Sequence, residues 1–262
     1  LRELYTHNGS AIHQIDARVK VIFTLAFVLS LSLTPFRAWP AYILFLTLIL
    51  SVTLLSRLGI RFVFKRAFLA LPFVLAALPL IFTGPSPYGV ISIFQGVQIT
   101  YSPEGCERFA SIAIKSWISV QAAILLAATT RFPDLLIAFK QLKVPVLFVT
   151  IIGLMWRYLF VISEEVARMM RARASRSTTA LSQHTGGTLF WRARVTGGMA
   201  GSLFLRSLER SDRVYAAMLS RGYTGELPPS ETSILSRKNR QILILGICLL
   251  VLLWLLGLLT GG

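Results

Sequence analysis

The chain has 262 residues, 55% of them hydrophobic, with a formal net charge of +16 and a mean hydropathy of +0.67. An apolar fraction this high, laid out in runs of membrane-spanning length, argues against nucleic-acid binding and for a membrane protein whose Arg and Lys gather in cytoplasmic loops. The two cysteines, Cys106 and Cys248, lie far apart without ligand-like neighbours, so neither a disulfide framework nor a metal site is implied.

The first twenty residues are mostly polar, and the apolar run after them has no small-residue cleavage site, so no cleavable signal peptide is expected. Asp16 suits the N-cap of a helix beginning near Ala17, and a first span is predicted from Val19 to Leu33, stopping at Thr34-Pro35. Trp39-Pro40 opens a second span to about Ser56, with Trp39 and Tyr42 expected as interfacial anchors. Arg57, Arg61, Lys65 and Arg66 then form a cluster assigned to the cytoplasm, which places the N-terminus on the same side. A third span, Ala67 to Phe82, contains Pro72 and Pro79 and should be bent or broken. Thr83 to Tyr101 carries no charge and reads as a loop outside the membrane or in its outer interface. Ser102-Pro103-Glu104 gives an N-cap, a first-position proline and a first-turn acid for a fourth span ending near Thr130. Lys115 lies near enough to its outer end to snorkel.

Phe132-Pro133-Asp134 opens a short helix, Leu135 to Leu142. Only thirteen residues separate Lys143 from Arg157, whereas a crossing needs about 20. Pro145 to Ser177 is therefore expected as one long helix on the cytoplasmic side, apolar first and basic last, with Leu154, Tyr158, Ile162, Val166 and Met169 in one stripe. A polar loop, Thr178 to Thr188, leads to a second long helix from about Gly198 to Arg221, with Phe204, Leu208, Ser211, Tyr215 and Leu219 facing inward. Gly198 and Gly201 offer small surfaces for a close crossing, and Gly222 suits a left-handed C-terminal cap. Pro228-Pro229 breaks the chain, and Arg237, Lys238 and Arg240 anchor a fifth span, Ile242 to Leu259. Of the 27 basic residues only Arg37, Arg108 and Lys115 fall on the outer half of this arrangement. The fold class is an all-α integral membrane protein with about five transmembrane helices, a short helix and two long cytoplasmic helices. Its regions are 1–130 with four spans, 131–236 cytoplasmic, and 237–262 as the last span.

The polar stretch Ser163 to Tyr223 carries one pattern twice. Glu164 precedes Arg168 by four residues, and Ser175-Arg176-Ser177 follows; shifted by 45 residues, Glu209 precedes Arg213 and Ser220-Arg221-Gly222 follows. Glu four residues before Arg is the favourable order on a helix, contributing about 0.2–0.5 kcal/mol. The pattern fits two helices, each ending in a small-residue turn with an arginine at its tip, and such tips would plug into a partner protein. The alternative is a pair of basic helices beside lipid headgroups whose likeness is chance.

No phosphate-binding loop, H-E-x-x-H motif, acidic cluster or nucleophile elbow is present, so no catalytic, cofactor-binding or metal-ligating set is assigned. His7, His13 and His184 read as solvated surface residues, and Gln95, Gln98 and Gln121 as loop or packing residues. A self-contained permease or channel, a membrane enzyme lacking a visible catalytic cluster, and the permease of a conventional ABC importer stay open at this point.

Residues Arg213 to Tyr223, with Gly225, resemble the second signature of the transmembrane (T) subunits of energy-coupling factor (ECF) transporters. Arg171 to Ser177 is similar to the first signature, His13 to Lys20 to the N-terminal motif, and Phe132 to Pro145 to the short helix before the coupling helices. The wording is nearest the CbiQ type of cobalt importers. The family's Ala-Arg-Gly triplet stands here as Ser175-Arg176-Ser177 and Ser220-Arg221-Gly222, and Ala17 replaces a frequent proline. The resemblance implies a non-catalytic scaffold in the inner (cytoplasmic) membrane, with its N-terminus and coupling helices cytoplasmic. The coupling helices would dock on two ABC ATPase subunits, and the membrane helices would hold a substrate-binding (S) subunit. Arg176 and Arg221 would be the anchors, Ser175, Ser177, Ser220 and Gly222 small so that the tips can enter, and Glu164–Arg168 and Glu209–Arg213 stiffening pairs. Cobalt is the implied cargo, with nickel or a vitamin as alternatives.

Overall fold

A computed structural model describes residues 10, 12–68, 71–81, 89–94, 97–176, 188–223 and 235–261. His7, Phe82, Gln95, Ser177, His184, Gly225 and Pro228-Pro229, which figure in the expectations above, lie outside the described residues. The chain divides into a larger unit, Arg2–Leu142 with Thr232–Gly262, and a smaller one built from Lys143–Glu231.

In the larger unit, α1 (Ala17–Leu33) starts where expected because the Asp16 carboxylate accepts the Arg18 backbone N–H at 3.0 Å. It is followed by α2 (Trp39–Leu55) and α3 (Ile60–Ala67). The predicted third span is broken: α4 (Leu71–Ala76) carries Pro72, and a 3-10 turn, Leu78–Ile81, carries Pro79. Each proline removes a backbone donor and crowds the preceding turn, so a straight crossing is not formed. The expected loop before Tyr101 is instead partly an antiparallel hairpin, β1 (Gly89–Phe94) and β2 (Val97–Tyr101). Its register pairs Ile91 with Ile99 and Phe94 with Val97, with an irregularity between Ser92 and Phe94. The β-branched residues Val90, Ile91, Ile93, Val97, Ile99 and Thr100 favour this pairing, which charge alone does not reveal. The rest is helical: α5 (Pro103–Thr129), α6 (Phe132–Gln141) and α9 (Arg237–Gly261) complete the unit.

The core is formed by Phe27 and Leu31 of α1, Phe45 of α2, Ile118 and Leu125 of α5, and Leu250 of α9. Phe27 meets Phe45 edge to face at 5.5 Å. α9 approaches α1 and α2 closely at Gly257, where an added Cβ would lie 2.8 Å from the Thr34 methyl and 3.3 Å from Ala41 Cβ. Polar side chains close the helix ends. Lys115 Nζ donates to the Thr34 carbonyl at 2.5 Å and the Ser32 carbonyl at 3.3 Å, so this lysine caps α1. Lys20 Nζ does the same for α5, donating to the Thr129 carbonyl at 3.0 Å and also to His13 at 3.3 Å. α1 and α5 are thus antiparallel neighbours, each lending an ammonium group to the other's last turn.

Two expected surface residues are structural. Tyr42 is buried, not an interfacial anchor, because its hydroxyl donates to the Pro35 carbonyl at 2.6 Å and closes the α1–α2 turn. His13 is half-buried, with Nδ1 2.7 Å from the Ser10 hydroxyl and its carbonyl held by Lys20. Gln121 is fully buried in α5 with both amide atoms unpartnered among the described residues.

Among the described residues three helices are long and apolar enough to cross a membrane: α5, α9 and α7 (Val146–Arg176), with α2 as a shorter apolar helix. α1 and α2 have 17 residues each, about 25 Å at 1.5 Å per residue. α7 qualifies by length and composition alone, since Arg157 interrupts its apolar run without ending it.

Candidate functional site

The doubled motif falls on the smaller unit, whose two long helices are α7 and α8 (Leu189–Leu219), each of 31 residues. α8 begins at Leu189, not near Gly198. The Thr188 hydroxyl accepts the Trp191 N–H at 3.3 Å and nucleates the helix one loop earlier than the glycines suggest. Gly198 and Gly201 do not mediate a close crossing, since a Cβ at either would meet nothing within 4 Å. Only Val149 and Thr150 are buried in α7 and nothing is buried in α8, an unusual state for two helices this long.

The expected ion pairs are present at matching offsets. Arg168 lies 4.0 Å from Glu164 and Arg213 lies 3.9 Å from Glu209, each one helical turn on. The tips also match. The Ser175 hydroxyl donates to the Ala172 carbonyl at 3.0 Å, and the Ser220 hydroxyl donates to the Ala217 carbonyl at 3.0 Å. These bonds fold the serines back onto their own helices, so Arg176 and Arg221 are the long side chains left at the two ends, both exposed.

The end of α8 is fully described. Gly222 has φ +79°, its N–H donates to the Leu219 carbonyl at 2.9 Å, and the Tyr223 N–H reaches back to the Met218 carbonyl at 3.0 Å. This is a Schellman ending, which needs a left-handed residue at the position Gly222 occupies. Arg221 sits at the last turn, immediately before that reversal. Ser177, the equivalent of Gly222 in the first copy, lies outside the described residues.

The structure adds two residues that the repeat does not contain. Glu165, next to Glu164, is only 16% exposed and pairs with Arg168; its other oxygen accepts from Arg206 Nη1 of α8 at 2.9 Å. Arg168 first, and Arg206 with it, hold the Glu165 carboxyl below the usual range against the opposing effect of desolvation. A second link joins the helices where Arg173 Nη1 donates to the Thr196 hydroxyl at 3.3 Å. No sequence spacing announces these contacts, because they join residues 23 and 41 positions apart.

Between the helices runs an apolar groove of about 540 Å3, lined by Leu154, Tyr158 and Ile162 of α7 and by Leu203, Val214 and Met218 of α8. The α7 stripe is as expected up to Ile162, whereas Val166 is exposed. On α8, Ser211 and Tyr215 line the groove as expected, whereas Phe204, Leu208 and Leu219 face outward and Leu203, Ser207 and Met218, each one residue earlier, take their places. Tyr223 lines the groove beside Met218, the apolar contact that accompanies a Schellman ending. Among the described residues no group of three or more His, Cys, Asp or Glu side chains is gathered as a metal site.

The sequence as a whole is similar to those of known proteins. The sequence family described as CbiQ, cobalt transport protein, matches residues 8–234. A protein of Methanocaldococcus jannaschii described as uncharacterized is 27% identical over 96% of this chain and 84% of its own length. The cobalt transport protein CbiQ of Rhodobacter capsulatus is 28% identical over 88% of this chain and 86% of its own. The energy-coupling factor transporter transmembrane protein EcfT of Ruminiclostridium cellulolyticum is 25% identical over 96% of this chain and 94% of its own.

Proposed function

The chain belongs to the CbiQ family of transmembrane (T) subunits of ECF transporters, and we propose that within such a transporter it joins two ABC ATPase subunits to a substrate-binding S subunit for the uptake of cobalt ions. It is a multi-pass membrane protein. In the proposed arrangement it lies in the cytoplasmic membrane, with α7 and α8 reaching the ATPases on the cytoplasmic side. It performs no chemistry itself, ATP being hydrolysed by the partners.

The observation that carries this reading is the matched construction of the two tips. Each has an exposed arginine beside a serine tied back to its own helix, and each follows a Glu–Arg pair one turn long. A guanidinium presents a planar fork of donors, suited to carboxylates or to the carbonyls at a helix C-terminus in a groove of a partner. Movement of the ATPases during the ATP cycle would shift α7 and α8, and through them the S subunit. Cobalt as cargo rests on the name of the R. capsulatus relative and on the family description.

The test is to coexpress the chain with its ATPases and S subunit, isolate the complex, and measure ATP-dependent uptake of labelled cobalt in proteoliposomes, with nickel as a competing arm. Arg176→Ala and Arg221→Ala should each weaken ATPase association by roughly 2–4 kcal/mol, as expected for a charged partner lost from a buried pair. Parent-like copurification and transport by both variants would refute the docking assignment. Uptake by the isolated chain without ATPases would refute the scaffold itself.

A further inference from the structure

Among the described residues the basic side chains differ in how they are compensated. Arg37, Arg108, Arg168, Arg206 and Arg213 each have a glutamate partner. Arg61, Lys65 and Arg66 of α3 have no ion pair among the described residues, and the sequence offers no Asp or Glu between Asp16 and Glu104. α3 packs on the bundle through Val63 and Ala67, both fully buried. Arg61 and Lys65, one turn apart, stand on its exposed side, and Arg57 precedes them in the connecting turn.

Arg66 differs from its neighbours because its guanidinium lies 3.9 Å over the Phe62 ring and is half-buried. Its Nη1 is sealed from solvent without an acceptor among the described residues. A cation held in this way, partly desolvated and uncompensated, favours an anion at the open part of its fork. The surroundings say which anion. Leu54, Leu55, Ile60 and Phe68, at or just beyond the ends of this segment, are all large, apolar and exposed. Apolar surface beside Arg61, Lys65 and Arg66 fits the boundary between acyl chains and headgroups.

We propose that α3 and the turn before it form a binding site for an anionic phospholipid, with Arg66 gripping the headgroup phosphate and Arg61 and Lys65 completing the charge. The site is independent of which subunits the chain assembles with.

The experiment uses the full chain in detergent, stripped of lipid, and titrates it with phosphatidylglycerol or phosphatidylcholine, following bound lipid by native mass spectrometry and stability by thermal unfolding. Phosphatidylglycerol should bind and stabilise the parent, phosphatidylcholine should not, and inorganic phosphate alone should have no effect. Arg66→Gln and the pair Arg61→Gln with Lys65→Gln should each weaken phosphatidylglycerol binding at least about five-fold, the worth of one basic residue at a lipid surface. Arg66→Lys keeps the charge without the fork and should lie between parent and Arg66→Gln; it serves as the test if Arg66→Gln does not fold. Undiminished binding in the folded variants overturns the proposal. So does equal binding of phosphatidylcholine, or reproduction of the effect by inorganic phosphate. If the bases instead matter only when an acidic partner subunit is present, the surface is a protein interface and the lipid site is refuted.

Discussion

Gly222 offers the sharpest test of the tip geometry. An added Cβ would meet nothing within 4 Å, so any cost of substitution is conformational and not steric crowding. Holding an L-residue other than Gly or Asn at φ +79° costs about 1–2 kcal/mol. Gly222→Ala should therefore shift the α8 ending away from the Schellman form by a factor of roughly 5–30. If only that form presents Arg221 correctly, affinity for the ATPases falls by up to the same factor. Gly222→Asn keeps access to the left-handed region and should stay near the parent. The assay is a binding titration of purified ATPases against the three proteins, with hydrogen exchange at the Tyr223 amide reporting the turn itself. The order parent, Asn, Ala is required. Equal affinity of all three, with Tyr223 protection lost only in the Ala variant, would show that the turn does not position Arg221.

Lys115→Met leaves the Ser32 and Thr34 carbonyls without their charged donor at a cost of about 2–4 kcal/mol, read as a melting point lowered by about 5–15 °C in detergent. Gly257→Leu drives a side chain into Thr34 and Ala41 and should destabilise by at least about 1–3 kcal/mol by the same assay; a parent-like melting point would mean that α9 does not pack there. Because the folded-state pKa of Glu165 is depressed, its contribution to joining α7 and α8 is complete above the usual carboxylate value of 4.5 and is lost as pH falls below it. Spin labels on the two helices should report a broadened distance on acidification, and Glu165→Gln should show that broadening already at neutral pH. An identical acid response in parent and Glu165→Gln would assign the effect to other groups.

Local chemistry made much of this architecture readable. Asp16 and Ser102 mark their helix starts because a cap is decided by adjacent residues, and Pro72 and Pro79 break the third span for an equally local reason. The Glu–Arg pairs and Ser–Arg tips are likewise set within one turn. The failures share a different cause. Tyr42 resembles a membrane anchor by composition, but carbonyls left open by the α1–α2 turn recruit it inward. The hairpin before α5 lacks a two-residue Asn-Gly or Asp-Gly signal, so only its β-branched content announces it. On α8 the large side chains Phe204 and Leu208 point the sequence pattern to one face, whereas Leu203 and Ser207, one residue earlier, line the groove there. Glu165–Arg206 depends on how two distant segments meet, which periodicity does not encode.

The tie between Glu165 and Arg206 divides α7 unevenly. From Glu165 the helix runs about 16 Å to Arg176 but about 28 Å to Val146, at 1.5 Å per residue. A rigid rotation about that fulcrum moves the apolar end nearly twice as far as the arginine end. Small strokes delivered at Arg176 would thus emerge magnified at the oily end, while the force available there falls in the same proportion.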